Sequence, residues 1–281
     1  MANVWDAMKK HQAEQAEAAP PPGSAAPQAA PAVGSAAPEA ATAGAAALQV
    51  TGRVEHARLN GYAPELCAYH EPGGTIAEDF RGLRTNLLAH YADERFCVLV
   101  TSAEKGEGKT VACLNLAVVL AERQERRTVV IDCDLRARRL ARLMHIENTP
   151  GVADLLRGTG HLKDVLRKTA SPNLLVIPAG VAGKGEVGEL LHRPELEETI
   201  NALRREFDHV LIDTPPVGVA PDAGMLGGCV SDALLVVRMY KTRHETVDSA
   251  VRLLHAAHIE PVGIVLTHHR YYIPALLYYH T

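Results

Sequence analysis

Short runs of β-branched and aliphatic residues recur at 96–100, 128–131, 174–177, 209–212, 233–237 and 262–266, each nearly free of polar positions. Between most of them the apolar residues change to helical spacing, at 75–90, 110–123, 152–157, 186–206 and 243–258. A strand that is apolar at every position is buried on both faces, and strands that alternate with helices are joined by crossovers. The pattern therefore predicts an α/β, doubly wound, mostly parallel sheet with helices on both sides. Thr75 and Glu78 stand at capping-box spacing, which predicts Thr75 as N-cap of the first helix and Glu78 at its third position. In such sheets ligands sit beyond the carboxyl ends of the strands, so those ends are where chemistry is expected.

Composition changes this picture mainly at the ends of the chain. Residues 1–48 are dominated by alanine and proline, with few large apolar side chains. Such a stretch cannot bury enough surface to offset the entropy of ordering it, which predicts a disordered arm. Within it, residues 2–17 allow a short helix with Val4, Trp5 and Met8 on one face, either a docking peptide or a frayed terminus. The expected organisation is the arm, an extension at 49–74, one domain at 75–267 and a C-terminal tail at 268–281. A net charge of −4 supplies no overall positive field, so no nucleic-acid partner is expected. No apolar run approaches the ~20 residues of a membrane span, and the N-terminus has no apolar signal core. Cys67, Cys97, Cys113, Cys133 and Cys229 form no CxxC pair, which fits a reducing cytosol better than a disulfide frame or a zinc site.

The first predicted strand runs into Thr101-Ser-Ala-Glu-Lys-Gly-Glu-Gly-Lys-Thr110, where Ala103, Gly108, Lys109 and Thr110 satisfy P-loop spacing. Gly106 and Gly108 allow backbone conformations that turn successive N–H groups toward phosphate oxygens. The helix that follows presents its positive end to the same anion. Ala103, Glu104, Lys105, Gly106, Glu107, Gly108, Lys109, Thr110 and Val111 are thus expected to hold ATP. Lys109 would reach the β- and γ-phosphates, and the Thr110 hydroxyl would ligate Mg²⁺. Two further strands end in acids, Asp132 and Asp134 after the second and Asp213 after the fourth. Carboxylates beside a triphosphate repel it unless a divalent cation mediates. Asp213 then fits a Walker B residue, and Asp132 and Asp134 fit metal support plus a general base. Arg136, Arg138, Arg139 and Arg142 follow at once; they steady the triphosphate, meet a neighbour's acidic surface, or form a solvated helix face.

Taken together these motifs resemble the bacterial protein-tyrosine kinases of capsule and exopolysaccharide loci, which use a P-loop NTPase fold of MinD/ParA-like type. Ser102–Thr110 matches their SAxxGEGKT loop, Asp132, Asp134 and Arg136 their hhhDxDxR motif, and Asp213 to Pro216 their Walker B followed by two prolines. Glu78, Arg81 and Arg84 match an ExxRxxR helix, and Tyr271, Tyr272, Tyr278 and Tyr279 a tyrosine-rich C-terminus. The resemblance implies Mg·ATP-dependent tyrosine autophosphorylation between subunits of a ring. Glu78, Arg81 and Arg84 would form the subunit contact, Asp134 would join Thr110 and Asp213 at the metal, and the four tail tyrosines would accept phosphate. Asp132 is expected first as base for the phenol, and Asp134 second. The resemblance also implies a transmembrane polysaccharide co-polymerase as a separate adaptor, holding a cytoplasmic chain at the inner face of the membrane.

Residue chemistry alone allows other readings at two of these places. Glu78, Arg81 and Arg84 also suit a solvated ladder, and the tail also suits a packed aromatic-aliphatic extension or a patch touching membrane or partner. The other functional class is a MinD/ParA-like ATPase switch that organises a partner without phosphorylating protein. Its signature lysine would fall at position 104, which is Glu104. Thr267 stands where the kinases usually carry the asparagine that reads the base.

Overall fold

Each apolar run forms a strand of one seven-stranded sheet in the computed structural model, which describes residues 61–183, 185–219 and 226–269. The elements begin with α1 (Cys67–His70), α2 (Thr75–His90), β1 (Phe96–Ser102), α3 (Lys109–Leu120) and β2 (Thr128–Asp132). Next come α4 (Arg139–Leu143), α5 (Val152–Leu156), α6 (Leu162–Val165), β3 (Arg167–Lys168), β4 (Leu174–Ile177), α7 (Val187–Leu191) and α8 (Pro194–Glu206). β5 (His209–Asp213), β6 (Asp232–Arg238), α9 (His244–Ala256) and β7 (Glu260–Thr267) complete the domain. The strand order is β3-β4-β2-β5-β1-β6-β7. All pairings are parallel except the two-residue β3 against β4, a strand too short to leave a periodic signal.

Alternate strand residues feed two cores. Leu99, Ile131 and Ile212 face one side with Leu190, Ile200 and Leu254, while Val98, Val130 and Leu211 face the other with Leu87, Leu114 and Leu120. α3 is buried nearly all round because the sheet, α2 and the 61–74 segment each cover part of it. Asn115 on α3 anchors that segment, accepting from the Ala68 N–H at 2.8 Å and donating to the Glu65 carbonyl at 3.0 Å.

Two local expectations need correction. Gly74, not Thr75, caps α2, and Thr75 is its first helical residue. The turn that closes with Gly74 N–H donating to Glu71 O at 2.9 Å starts the helix one residue early. This frees the Glu78 carboxylate to pair with Arg81 at 2.6 Å instead of reaching back to the cap. The predicted helix at 186–206 is two helices, α7 and α8. Proline disfavours helical geometry in the residue before it, so Arg193 is extended (φ −75°, ψ 143°) and Pro194 opens a new helix.

One buried side chain makes stability depend on pH. His209 is fully buried, accepts at Nδ1 from the Thr128 hydroxyl at 3.1 Å and donates from Nε2 to the Glu94 carbonyl at 3.2 Å. Burial pushes its pKa down to about 4 from an ordinary 6.5. The unfolded chain therefore binds the extra proton between those values, so this contribution is complete above pH 6.5 and lost as pH falls toward 4. Urea unfolding is expected to show a loss of about 2 kcal/mol across that window, absent in His209→Gln. An identical slope in the variant would assign the effect elsewhere.

Candidate active site

The sheet order itself assembles the site. β5 lies between β1 and β2, with Asp213 in register with Val100 on one side and Asp132 on the other. The loop after β1 and the acidic ends of β2 and β5 therefore open into the same crevice. In that loop Gly106 (φ +82°) and Gly108 (φ +91°) occupy the left-handed region that glycine alone adopts at little cost. Nothing lies within 4 Å of a Cβ built at Gly106, so conformation rather than crowding demands glycine there.

Lys109, Thr110, Asp134 and Asp213 converge. The Lys109 ammonium lies 2.8 Å from Asp134 Oδ2 and 3.2 Å from Asp213 Oδ1. The Thr110 hydroxyl donates to Asp213 Oδ2 at 2.7 Å. All four are buried. Burial alone would disfavour the ammonium, but the charges of Asp213 and Asp134 outweigh it and hold the Lys109 pKa above its ordinary value. For Asp213 burial dominates and raises the carboxyl pKa against the pull of Lys109.

Asp132 plays a different part from its neighbour. It is fully buried, and its two oxygens accept from the backbone N–H groups of Asp134 at 3.0 Å and Leu140 at 3.3 Å. Burial, with Asp213 beside it, raises its pKa well above the usual carboxylate range. Asp132 does not line the cavity, whereas Asp134 does. That cavity is about 650 Å³, with Lys105 through Val111 of the loop, excepting Glu107, on one part of its wall. Arg136, Arg139 and Arg142 line another part, with Glu65, Pro215 and Pro216.

Two expected loop residues, Ala103 and Glu107, turn inward instead, whereas Glu104 is exposed. Ala103 is buried beneath the loop, and Glu104 donates its N–H to Glu107 Oε2 at 2.6 Å. The Glu107 carboxylate also accepts from the Arg238 N–H at 3.1 Å and from the Thr242 hydroxyl, so it ties the loop to the end of β6. The SAxxGEGKT motif marks this acid without saying which way it turns, and the sequence reading places it on the nucleotide. Thr267 donates its hydroxyl proton to the Glu107 carbonyl at 2.6 Å. A hydroxyl carries one proton, so Thr267 braces the loop from behind and has none left to donate to a base.

The Glu78, Arg81 and Arg84 face of α2 has an intramolecular partner that spacing did not reveal. Glu122, just past α3, pairs with Arg81 at 2.6 Å and Arg84 at 2.9 Å. Hydrogen bonding to Arg81 lowers the Glu122 pKa. Arg81 and Arg84 lie a turn apart on α2 and their acid comes from beyond α3, which no local spacing announces. Tyr271, Tyr272, Tyr278 and Tyr279 lie outside the described residues, as do Val4, Trp5, Met8 and the arm.

Residues 97–244 match the model of an AAA domain family. Tyrosine-protein kinase YwqD of Bacillus subtilis is 30% identical over 72% of this chain and 84% of its own length. The chain belongs to the bacterial tyrosine-protein kinase family. Tyrosine-protein kinase Wzc of Salmonella typhi is 31% identical to this family member over 72% of the chain, a match that spans only 28% of Wzc. The kinase domain of Escherichia coli tyrosine kinase ETK superposes with a TM-score of 0.68 at 27% identity, covering 74% of this kinase-family chain and 83% of that domain. Among the described residues no helix is long and apolar enough to cross a membrane.

Proposed function

We propose that this chain is a Mg·ATP-dependent protein-tyrosine autokinase that regulates capsular or exopolysaccharide assembly and export. The observation that carries this reading is the buried Lys109 ammonium between Asp134 and Asp213 at the mouth of a P-loop. The protein residues fit Mg²⁺. Thr110 and Asp213 offer two oxygens 2.7 Å apart with Asp134 beside them, and Mg²⁺ favours one or two carboxylates completed by phosphates and water. Among the described residues no three His, Cys, Asp or Glu side chains form a metal-holding group on their own. The ion, when bound, would neutralise phosphate charge.

In the transfer, the phenol oxygen forms a bond to the γ-phosphorus while the bond from that phosphorus to the β–γ bridging oxygen breaks. ADP leaves with the electron pair. Lys109 places positive charge where negative charge accumulates on the transferring group. The phenol proton needs an acceptor, since its ordinary pKa is about 10. Asp134 lines the cavity and takes that role from Asp132, which does not. Both carboxylates accept hydrogen bonds, Asp134 from Lys109 and the Ala137 N–H, so access to the cavity separates them. Asp132 instead fixes where Asp134 points.

The acceptors in this reading are Tyr271, Tyr272, Tyr278 and Tyr279 of an adjacent copy in a ring. In this reading Glu78, 64% exposed and paired with Arg81, would be the member of its trio to meet a neighbour, since Glu122 also holds Arg81 and Arg84. A separate transmembrane co-polymerase adaptor would keep the kinase peripheral at the inner face of the cell membrane. Phosphate mapped by mass after incubation with Mg·ATP should fall on the four tail tyrosines and vanish in Tyr271/Tyr272/Tyr278/Tyr279→Phe. Label undiminished in that variant would move the acceptor elsewhere. No phosphotyrosine on the wild type, alone or with its adaptor, would remove the kinase reading and favour a non-phosphorylating ATPase switch.

A further inference from the structure

Part of the cavity wall carries cations that the nucleotide chemistry does not require. Arg139 and Arg142 stand three residues apart on α4, so they share one helix face, and both are exposed and line the cavity. Among the described residues neither makes an ion pair, whereas Arg81, Arg84, Arg126 and Arg157 elsewhere on the surface all do. A bound triphosphate already has Lys109, the loop N–H groups and a dication to balance its charge. Guanidinium groups present forked donors that match a phosphate group, which makes this wall suited to a second anion.

The chain's own acceptor segment says what that anion is. Residues 268–281 contain no aspartate or glutamate, and begin with His268, His269 and Arg270. An unmodified tail would therefore bring no acidic side chain to the arginines. Its tyrosines come in two adjacent pairs, Tyr271-Tyr272 and Tyr278-Tyr279. After one transfer, a pair holds a phosphate carrying about −1.5 to −2 charge beside an unmodified phenol. Neighbouring side chains of an extended segment project to opposite sides, so one can meet the arginines while the other meets the triphosphate.

We infer that Arg139 and Arg142 form a phosphotyrosine-binding wall, which seats the first modified tyrosine of a pair from a second copy of this chain while its neighbour is phosphorylated. Phosphorylation of each pair is then self-priming, the first event slow and the second fast. This rests on the kinase reading above, but its test reads binding and stands apart from turnover.

Synthetic peptides matching residues 268–281 would be titrated by fluorescence anisotropy against the full chain loaded with Mg²⁺ and a non-hydrolysable ATP analogue. The peptide phosphorylated at Tyr272 should bind about tenfold tighter than the unmodified one. Arg139→Gln with Arg142→Gln should cut that advantage to about threefold or less. Arg142→Gln alone should remove part of it, which keeps the test decisive if the double variant does not fold. Equal binding of the two peptides, or an advantage that survives both substitutions, overturns the inference. A Tyr272→Glu peptide that binds as tightly as the phosphopeptide also overturns it, in favour of an acidic substrate. Failure of the kinase reading would show separately, as wild-type protein that transfers no phosphate to any tyrosine.

Discussion

Lys109→Met lowers the rate of phosphotyrosine formation by about a thousandfold or more, the loss expected when a preorganised cation is withdrawn from a transferring phosphoryl group. Single-turnover assays with Mg·ATP measure it. The same substitution also disturbs the folded state. It leaves Asp134, Asp213 and the nearby Asp132 without the ammonium that now lies 2.8 Å and 3.2 Å from the first two. Removing one partner of a buried charge pair costs about 3 kcal/mol or more. In the variant the sign of the pH effect is the unusual one. Burial already raises the pKa of Asp213 and Asp132 in the intact site. Without Lys109 those values rise further, so the folded state binds protons more readily than the unfolded chain, and stability increases as pH falls from 8 toward the ordinary carboxylate range. Relative to the wild type, in which His209 contributes equally, urea stability of Lys109→Met should therefore improve between pH 8 and pH 5. A variant with near-normal phosphotyrosine formation would show that the ammonium is structural only.

Asp134→Asn and Asp132→Asn are expected to fail in different ways. At position 134 the amide cannot take up the phenol proton, and turnover should drop by about 10² to 10⁴, the usual range for a lost general base. At position 132 the change puts an amide N–H₂ against one of two backbone donors, from Asp134 and Leu140. A buried donor left without an acceptor costs about 1 to 3 kcal/mol, so Asp132→Asn should show first in the urea midpoint and less in turnover at low denaturant. Asp134→Asn also withdraws a buried partner of Lys109, so turnover at low denaturant, rather than the urea midpoint, separates proton acceptor from positioning group. A turnover loss in Asp132→Asn as large as in Asp134→Asn would return the base role to Asp132.

How much of the site can be read without coordinates depends on the kind of force that places each residue. The P-loop is legible because its glycines, lysine and threonine answer to backbone geometry within a few residues. Asp132, Asp134 and Asp213 are legible as strand-end acids because runs of apolar residues announce where strands stop. The inward turn of Glu107 is not legible, since its partners Arg238 and Thr242 are remote in sequence and meet it only when β6 lies beside β1. The same holds for Glu122 against Arg81 and Arg84, which requires α2 to pack along α3. The break before Pro194 was written locally, and the apolar spacing on either side of it concealed the stop.

The amino-acid sequence by itself determined the α/β layering, the phosphate loop and the set of acids, because periodicity and short-range backbone preference are properties of neighbouring residues. Tertiary structure decided which acid faces the cavity, which loop residue became a brace, and that Arg139 and Arg142 make no ion pair among the described residues. Those outcomes depend on strand order and on which buried hydrogen bonds are satisfied, and both come from contacts between segments far apart in the chain.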